Sequence, residues 1–261
     1  MIRCSANVQF LFPGRSLADS IQAAVDAGFR TIEITDPFSM DEDELVGLVD
    51  RLGLAVDLFN LPFGVLAAGD RGWAGVPART ADFREGVERS VRLAERLRVP
   101  KVNALTGTRQ AGETEAAQLD CLRENLAWAA ERLAAAGATV CTELLNPVET
   151  PGYLLSSLDV VRSVLEPLGG AVRFQFDVYH LQRTRGELIP AAARMADLTG
   201  HVQVADAPGR TEPGTGEINV PNVLAALAEH GYDGPVGLEY RPSGRTPDPF
   251  AWVEAAGYRR I

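Results

Sequence analysis

The segment VRFQFDVYHLQRTRGELIPAAARMADLTGHVQVA, residues 172–205, decides the fold of this chain. Its two ends, VRFQFDV (172–178) and HVQVA (201–205), are short apolar runs rich in β-branched and aromatic residues, which predict strands. Between them, the pattern from about Glu187 to Met195 predicts a short helix. A strand, a helix and a second strand in this order form a βαβ unit, whose two strands lie parallel in one sheet.

The same alternation continues in both directions over nearly the whole chain. Eight strand–helix units in 261 residues match the size of a (β/α)8 TIM barrel, and no linker or low-complexity segment divides them. A doubly wound open sheet fits less well, because NVQFLFPGRS after the first strand lacks the glycine fingerprint of that fold. We therefore predict a single TIM barrel domain over residues 1–261. The predicted strands span residues 3–10, 31–34, 55–60, 101–105, 139–144, 172–178, 201–205 and 235–240.

The composition excludes several classes of function. The chain has 25 Lys and Arg against 35 Asp and Glu, and its net charge of −10 argues against nucleic-acid binding, which leaves a basic footprint. No apolar run is long enough for a transmembrane helix, and MIRCSANVQF lacks the apolar core of a signal peptide. Three unpaired cysteines favour reduced thiols over a disulfide framework. We expect a cytoplasmic protein that binds neither nucleic acid nor membrane. The sequence does not distinguish a monomer from a homo-oligomer.

Four consecutive predicted strands end in oxygen-bearing side chains, which are Glu143, Asp177, Gln203 and Glu239. In a TIM barrel the carboxyl ends of the strands form the active-site face. Three carboxylates that converge there repel one another unless a positive charge lies between them. An all-oxygen donor set favours Mg²⁺ or Mn²⁺ over Zn²⁺. The alternative for each residue taken alone is structural, since an acidic side chain at a strand end can cap the next helix or pair with an arginine.

Histidines and arginines near the same face are candidates for substrate contacts. His180 follows Asp177 by three residues, just beyond a strand end, whereas His201 begins a strand and His230 ends a helix. We expect a functional role for His180 alone among the three, with a hydrogen-bonded loop residue as its alternative. Arg71 and Arg210 lie in loops long enough to fold over the barrel rim, so they are the candidates for binding an acidic substrate.

Several motifs identify the chain as resembling the hydroxypyruvate isomerase family of the xylose-isomerase-like TIM barrel superfamily. They are LFNLP followed by AAGDRG, NPVETPGYLL, FDVYHLQRTRGEL, QVADAPGRTEPGTGEIN and GYDGPVGLEYRP. The run from Pro208 to Asn219 is the most specific of them. The resemblance covers nearly the full length. It implies a small anionic 2-oxo acid as the substrate, converted between hydroxypyruvate and tartronate semialdehyde through a metal-stabilised ene-diolate.

The resemblance also assigns roles to individual residues. It implies a metal site at the four strand-end positions and makes Glu143 and Glu239 the catalytic acid/base pair. Asp177 and His180 match a D-x-x-H pattern similar to the metal ligand and substrate-contacting histidine of related epimerases. Glu149 and Arg210 fall where those epimerases contact substrate oxygens.

Other functions use similar barrels. A 2-oxo-tetronate isomerase or a ketose 3-epimerase would use the same site, so the residues do not separate them. An endonuclease IV-like nuclease needs several histidines around three zinc ions, and this chain has three histidines and an acidic balance. A catalytically silent sugar-binding barrel is expected to lack one of the two glutamates, and both are present.

Overall fold

The computed structural model describes residues 1–261 and contains a closed barrel of eight parallel strands, as predicted. The first strand pairs with both the second and the eighth, which closes the barrel, and a short ninth strand pairs with the first. The strands are β1 Arg3–Asn7, β2 Thr31–Ile34, β3 Ala55–Asn60, β4 Lys101–Asn103, β5 Thr139–Glu143, β6 Val172–Asp177, β7 Thr199–Val204, β8 Val236–Leu238 and β9 Arg259–Arg260.

Ten helices accompany the strands. They are α1 Val8–Leu11, α2 Leu17–Asp26, α3 Glu42–Leu52, α4 Thr80–Leu97, α5 Glu115–Ala135, α6 Leu158–Leu165, α7 Val178–Thr184, α8 Leu188–Met195, α9 Val220–Glu229 and α10 Ala251–Ala255. Short 3₁₀ turns occur at Pro37–Ser39, Leu66–Ala68, Pro77–Arg79 and Glu166–Leu168. None of the helices combines the length and the apolar character that crossing a membrane requires.

Local sequence explains where the helices lie and which face they bury. In α3, the Asp41 side chain accepts hydrogen bonds from the first-turn amides of Asp43 and Glu44, and Gly53 ends the helix with a positive φ of 63°. In α4, the buried residues Phe83, Val87, Ser90, Leu93, Ala94 and Leu97 recur every three or four positions. This spacing places them on one face against the barrel, where burial of each large apolar side chain stabilises the fold by about 1.5–3 kcal/mol.

Part of the barrel interior is polar rather than aliphatic. Lys101 Nζ on β4 lies 2.8 Å from Asp57 Oδ2 on β3 and 3.0 Å from His201 Nδ1 on β7. The other ring nitrogen of His201 lies 3.0 Å from Glu33 Oε1 on β2. All four side chains are largely or fully buried. These contacts hold His201 inside the barrel, so its role there is structural, as its position in the sequence predicts.

Most strand ends lie within one or two residues of the prediction, as at β4, β7 and β8, but two predictions fail because a helix begins where none was expected. The first strand was predicted to reach Phe10, but it ends at Asn7, whose side chain accepts a hydrogen bond from Phe10 N and so begins α1. The segment after β6 contains an unpredicted helix, α7, because the Asp177 side chain accepts the His180 amide and caps it. Both strand ends therefore carry a polar side chain that starts a helix at the barrel rim.

Candidate active site

The carboxyl ends of the strands surround a cavity of about 320 Å³. Six of the eight predicted site residues line it: Arg71, Glu143, Glu149, His180, Arg210 and Glu239. Asp177 and Gln203 do not line this cavity and are almost completely buried, with 2% and 1% of their surfaces exposed. The arrangement places the predicted acid/base glutamates and the predicted arginines around one small space.

Glu143 ends β5 with its side chain in this cavity. Asn103 Nδ2 donates a hydrogen bond to Glu143 Oε1 over 2.8 Å. Burial, reinforced by the negative charge of Asp177, raises the pKa of Glu143 to about 8. A carboxyl group with a pKa near neutrality is suited to both accepting and returning a proton.

Glu239 follows β8 and differs from Glu143 in its partners. Asn7 Nδ2 donates to Glu239 Oε1 over 3.1 Å, and Arg210 Nη2 forms an ion pair with Glu239 Oε2. Burial raises the pKa of Glu239 well above its ordinary value, although the Arg210 guanidinium opposes the shift. The two glutamates are therefore a buried pair in unlike surroundings, one beside amides and the other against a guanidinium.

His180 presents a nitrogen-bound proton to the site. The backbone amide of Asn146 donates to His180 Nδ1 over 3.2 Å, so Nδ1 is an acceptor and the proton of the neutral ring is on Nε2. His180 Nε2 lies 3.8 Å from Asp177 Oδ2. Burial lowers the pKa of His180 to about 4, despite the opposing effect of Asp177. The ring is thus neutral at physiological pH and offers a hydrogen-bond donor.

This environment predicts the pH behaviour of His180. Because the folded-state pKa lies below the unfolded value of about 6.5, His180 contributes stability above that pH and loses it as the pH falls toward 4. We expect its ring carbon signals in NMR spectra to stay constant between about pH 5.5 and 7.5, while a histidine model peptide in the same buffer titrates. The signal is assigned by its disappearance in His180→Asn. Titration of that signal with a midpoint near 6.5 would contradict the buried, neutral ring.

Donor atoms in the cavity and directly beside it could hold a divalent cation. Glu143, Asp177 and His180 offer ligand atoms within 4.8 Å of one another. Arg210 Nη2 contacts Glu239 Oε2 and lies 3.6 Å from Asp177 Oδ2, so one cationic group already lies between these carboxylates. Since the His180 nitrogen that faces Asp177 carries a proton, the carboxylate oxygens are the atoms available to a metal ion. Glu143, Asp177 and Glu239 could hold the ion.

Gln203 has two polar partners inside the barrel. Its Nε2 donates to Glu33 Oε2 over 2.8 Å, and its Oε1 accepts from Gln175 Nε2 over 2.7 Å. Burial opposes the ionisation of Glu33, but the adjacent His201, followed by hydrogen bonds from Gln203 and Ser5, outweighs it and keeps the pKa of Glu33 below its ordinary value. Glu33 and Gln203 are far apart in the chain, so the sequence alone did not reveal Glu33 as the partner of Gln203. Gln203 as a ligand remains a prediction.

The loop after β7 is organised by Asp206, which sequence reasoning missed. This fully buried carboxylate accepts hydrogen bonds of 2.9 Å from the backbone amides of Ala207, Gly214, Gly216 and Ile218. A Cβ at Gly216 would lie 2.0 Å from Ala207 O, so the turn requires glycine. The glycines of this loop thus pack its backbone around Asp206 instead of cradling a phosphate. An aspartate directly after an apolar strand, ahead of several glycines, was the available signal.

Arg210, Arg71 and Glu149 reach the cavity from three loops. The Arg210 guanidinium lies over the Phe10 ring, with Cζ 4.3 Å from the ring centre. Arg71 Nη1 donates to Leu66 O and Asp70 O, which ties the guanidinium to its own loop. Glu149 accepts a hydrogen bond from Tyr179 Oη. Phe10 and Arg241 also line the cavity, and neither was a candidate from sequence.

Comparison with known proteins gives the family. The family model described as xylose isomerase-like TIM barrel matches residues 21–260. The chain belongs to this family. It is 36% identical to the hydroxypyruvate isomerase of Escherichia coli (strain K12), over 97% of this chain and 99% of that protein. It is 35% identical to the 2-oxo-tetronate isomerase of Cupriavidus necator, over 97% and 98% of the two chains.

One solved structure extends the comparison. The structure named AP endonuclease, family 2, from Brucella melitensis superposes on this xylose isomerase-like barrel with a TM-score of 0.91. The two chains are 33% identical, over 98% of this chain and 99% of that one. The predicted fold and the predicted class of enzyme, an isomerase, are confirmed by the family and by the curated relatives.

Proposed function

We propose that this protein interconverts hydroxypyruvate and tartronate semialdehyde (2-hydroxy-3-oxopropanoate), with Glu143 and Glu239 as the acid/base pair. The observation that supports it most directly is the pair of buried glutamates with raised pKa values that line one small cavity together with arginines. An acid/base pair of this kind suits the transfer of one proton between adjacent carbons.

The proton transfers that the reaction requires match this pair. One carboxylate removes a proton from the CH₂OH carbon of hydroxypyruvate, which leaves an ene-diolate. The conjugate acid of the other delivers a proton to the neighbouring carbon, and the hydroxyl proton moves to the former carbonyl oxygen. His180 Nε2–H donates to a substrate oxygen, where negative charge develops.

A divalent cation fits beside these residues. Glu143 and Asp177, whose oxygens lie close together, would hold it with the neighbouring Glu239, and Gln203 is a further predicted ligand; the all-oxygen set favours Mg²⁺ or Mn²⁺. When bound, it supplies positive charge that stabilises the developing oxyanion. The chain itself orients the carboxylates through Asn7 and Asn103 and leaves little of either side chain exposed.

A second candidate, 2-oxo-tetronate isomerisation, is favoured by the similarly close relative of that name. The cavity of about 320 Å³ has room for either acid. A nuclease has less support from the site itself, because His180 is the only histidine that lines the cavity.

A substrate panel tests the proposal. The protein is incubated with hydroxypyruvate, with 2-oxo-tetronate or with D-fructose, each with Mn²⁺ or with a chelator, and the products are followed by proton NMR. We expect conversion of hydroxypyruvate at least about tenfold faster than that of the ketose, because the arginines favour an anion. Faster conversion of 2-oxo-tetronate would favour the second candidate. Conversion of the ketose alone would contradict both.

A further inference from the structure

Arg241 lies two residues beyond the candidate acid/base residue Glu239 and lines the same cavity. Glu239 N donates to Val204 O, and Arg241 N donates to Arg210 O, so the extended backbone after β8 continues beside the segment after β7. In extended backbone, residues two apart project their side chains to the same side. Both side chains accordingly line the cavity, with Glu239 buried and Arg241 exposed.

The charge of Arg241 has no partner within the chain. No Asp or Glu oxygen lies within 4.0 Å of its guanidinium, whereas Arg210 is paired with Glu239 and lies near Asp177. Arg71 also lacks a carboxylate partner, but two backbone carbonyls of its own loop hold its Nη1. Arg241 is therefore the cavity-lining cation with the most donors left for a ligand.

The Phe10 ring supports both guanidinium groups. The Cζ atoms of Arg210 and Arg241 lie 4.3 and 5.3 Å from the centre of this ring. Contacts of this kind between cations and aromatic faces restrict the guanidinium groups without neutralising them. The Phe10 ring thus contacts both Arg210, which is paired with a carboxylate, and Arg241, which is not, and keeps them beside each other at the cavity.

The balance of charge explains why Arg210 alone is insufficient for an anionic substrate. Glu143, Glu149, Asp177 and Glu239 all act electrostatically on Arg210. A substrate carboxylate that met only Arg210 would also meet the repulsion of these acidic groups. An additional cation on the outer side of the cavity, away from them, removes this obstacle.

We propose that Arg241 binds the carboxylate of the substrate and determines the preference of this site for an acid over a neutral hydroxy-ketone. The inference rests on the proposed function, because it takes a small 2-oxo acid as the ligand. Its planar guanidinium suits a carboxylate, which it can bind through two parallel hydrogen bonds. The neutral comparison compound is dihydroxyacetone, in which CH₂OH replaces the carboxylate of hydroxypyruvate.

Binding of D-glycerate, an unreactive anion with the carbon skeleton of hydroxypyruvate, tests this role by calorimetry. We expect Arg241→Gln to weaken glycerate binding by about 10- to 100-fold and Arg241→Lys to weaken it less. The matched control is Arg245→Gln, on the same exposed loop but outside the cavity, and its affinity should equal that of the wild type. If the Arg241→Gln variant binds glycerate as tightly as the wild type does, the inference is overturned.

Kinetics provide a second readout. Arg241→Gln should raise KM for hydroxypyruvate with kcat retained, and should leave kcat/KM for dihydroxyacetone unchanged. An equal loss for both compounds overturns the role in specificity. The proposed function can fail separately. If the wild-type protein converts no 2-oxo acid, but Arg241→Gln still weakens glycerate binding, the anion site is supported and the proposed reaction is not.

Discussion

Glu143→Gln and Glu239→Gln are each expected to lower kcat for hydroxypyruvate by about 10²–10⁴-fold, the usual contribution of a positioned acid or base. Glutamine keeps the shape of the side chain and an oxygen that can accept the hydrogen bonds from Asn103 or Asn7. It cannot carry the proton. The measurement is product formation by NMR at Mn²⁺ concentrations that saturate each variant.

The control for the glutamate variants is Glu229→Gln, at the exposed end of α9, which should retain full activity. Glycerate affinity should change little in the two active-site variants, because the proposed carboxylate-binding group is Arg241. Turnover at the wild-type rate in either variant would remove that glutamate from the acid/base pair.

Asp206→Ala is expected to have the largest effect on stability, about 3–5 kcal/mol. Removal of the carboxylate leaves four backbone amides of one loop without their acceptor. Since Arg210 lies inside this loop, its guanidinium should lose its position against Glu239, and kcat should fall as well. Denaturant unfolding measures the first effect, and hydrogen exchange of residues 207–218 measures the loss of local order.

The matched control for this prediction is Asp50→Ala, an exposed aspartate of α3 whose side chain makes no hydrogen bond. It should unfold within about 0.5 kcal/mol of the wild type. Unchanged stability and unchanged exchange protection in Asp206→Ala would show that the loop is held by other contacts.

The alternation of strands and helices was sufficient to predict the barrel, because burial imposes a period on each element. For example, the strand at 172–178 and the helix ending near Met195 were both found within one or two residues. What the sequence missed is the two helices that begin directly after Asn7 and Asp177, where a polar side chain at a strand end caps the next turn. A run of apolar residues does not reveal such a change of backbone direction.

The candidate site was predictable where it depends on strand ends, since parallel strands in a barrel bring their carboxyl ends together. Asp177 illustrates the limit, because it caps α7 and also lies beside Glu143, so its structural role is seen and its role as a metal ligand stays a prediction. Glu33, Asp206 and Arg241 were missed for a common reason. Their roles depend on partners or cavities formed by the tertiary fold, which local patterns do not encode.

Entry of solvent deuterium at the CH₂OH carbon of hydroxypyruvate tests whether Glu143 and Glu239 move a proton between adjacent carbons. Wild-type protein and the Glu143→Gln/Glu239→Gln double variant are incubated with hydroxypyruvate and Mn²⁺ in D₂O, and the NMR spectrum is followed. We expect deuterium at this carbon, and at the neighbouring carbon of the product, with the wild type only. Deuterium entry that persists in the double variant, or conversion by the wild type without any deuterium entering, would contradict it.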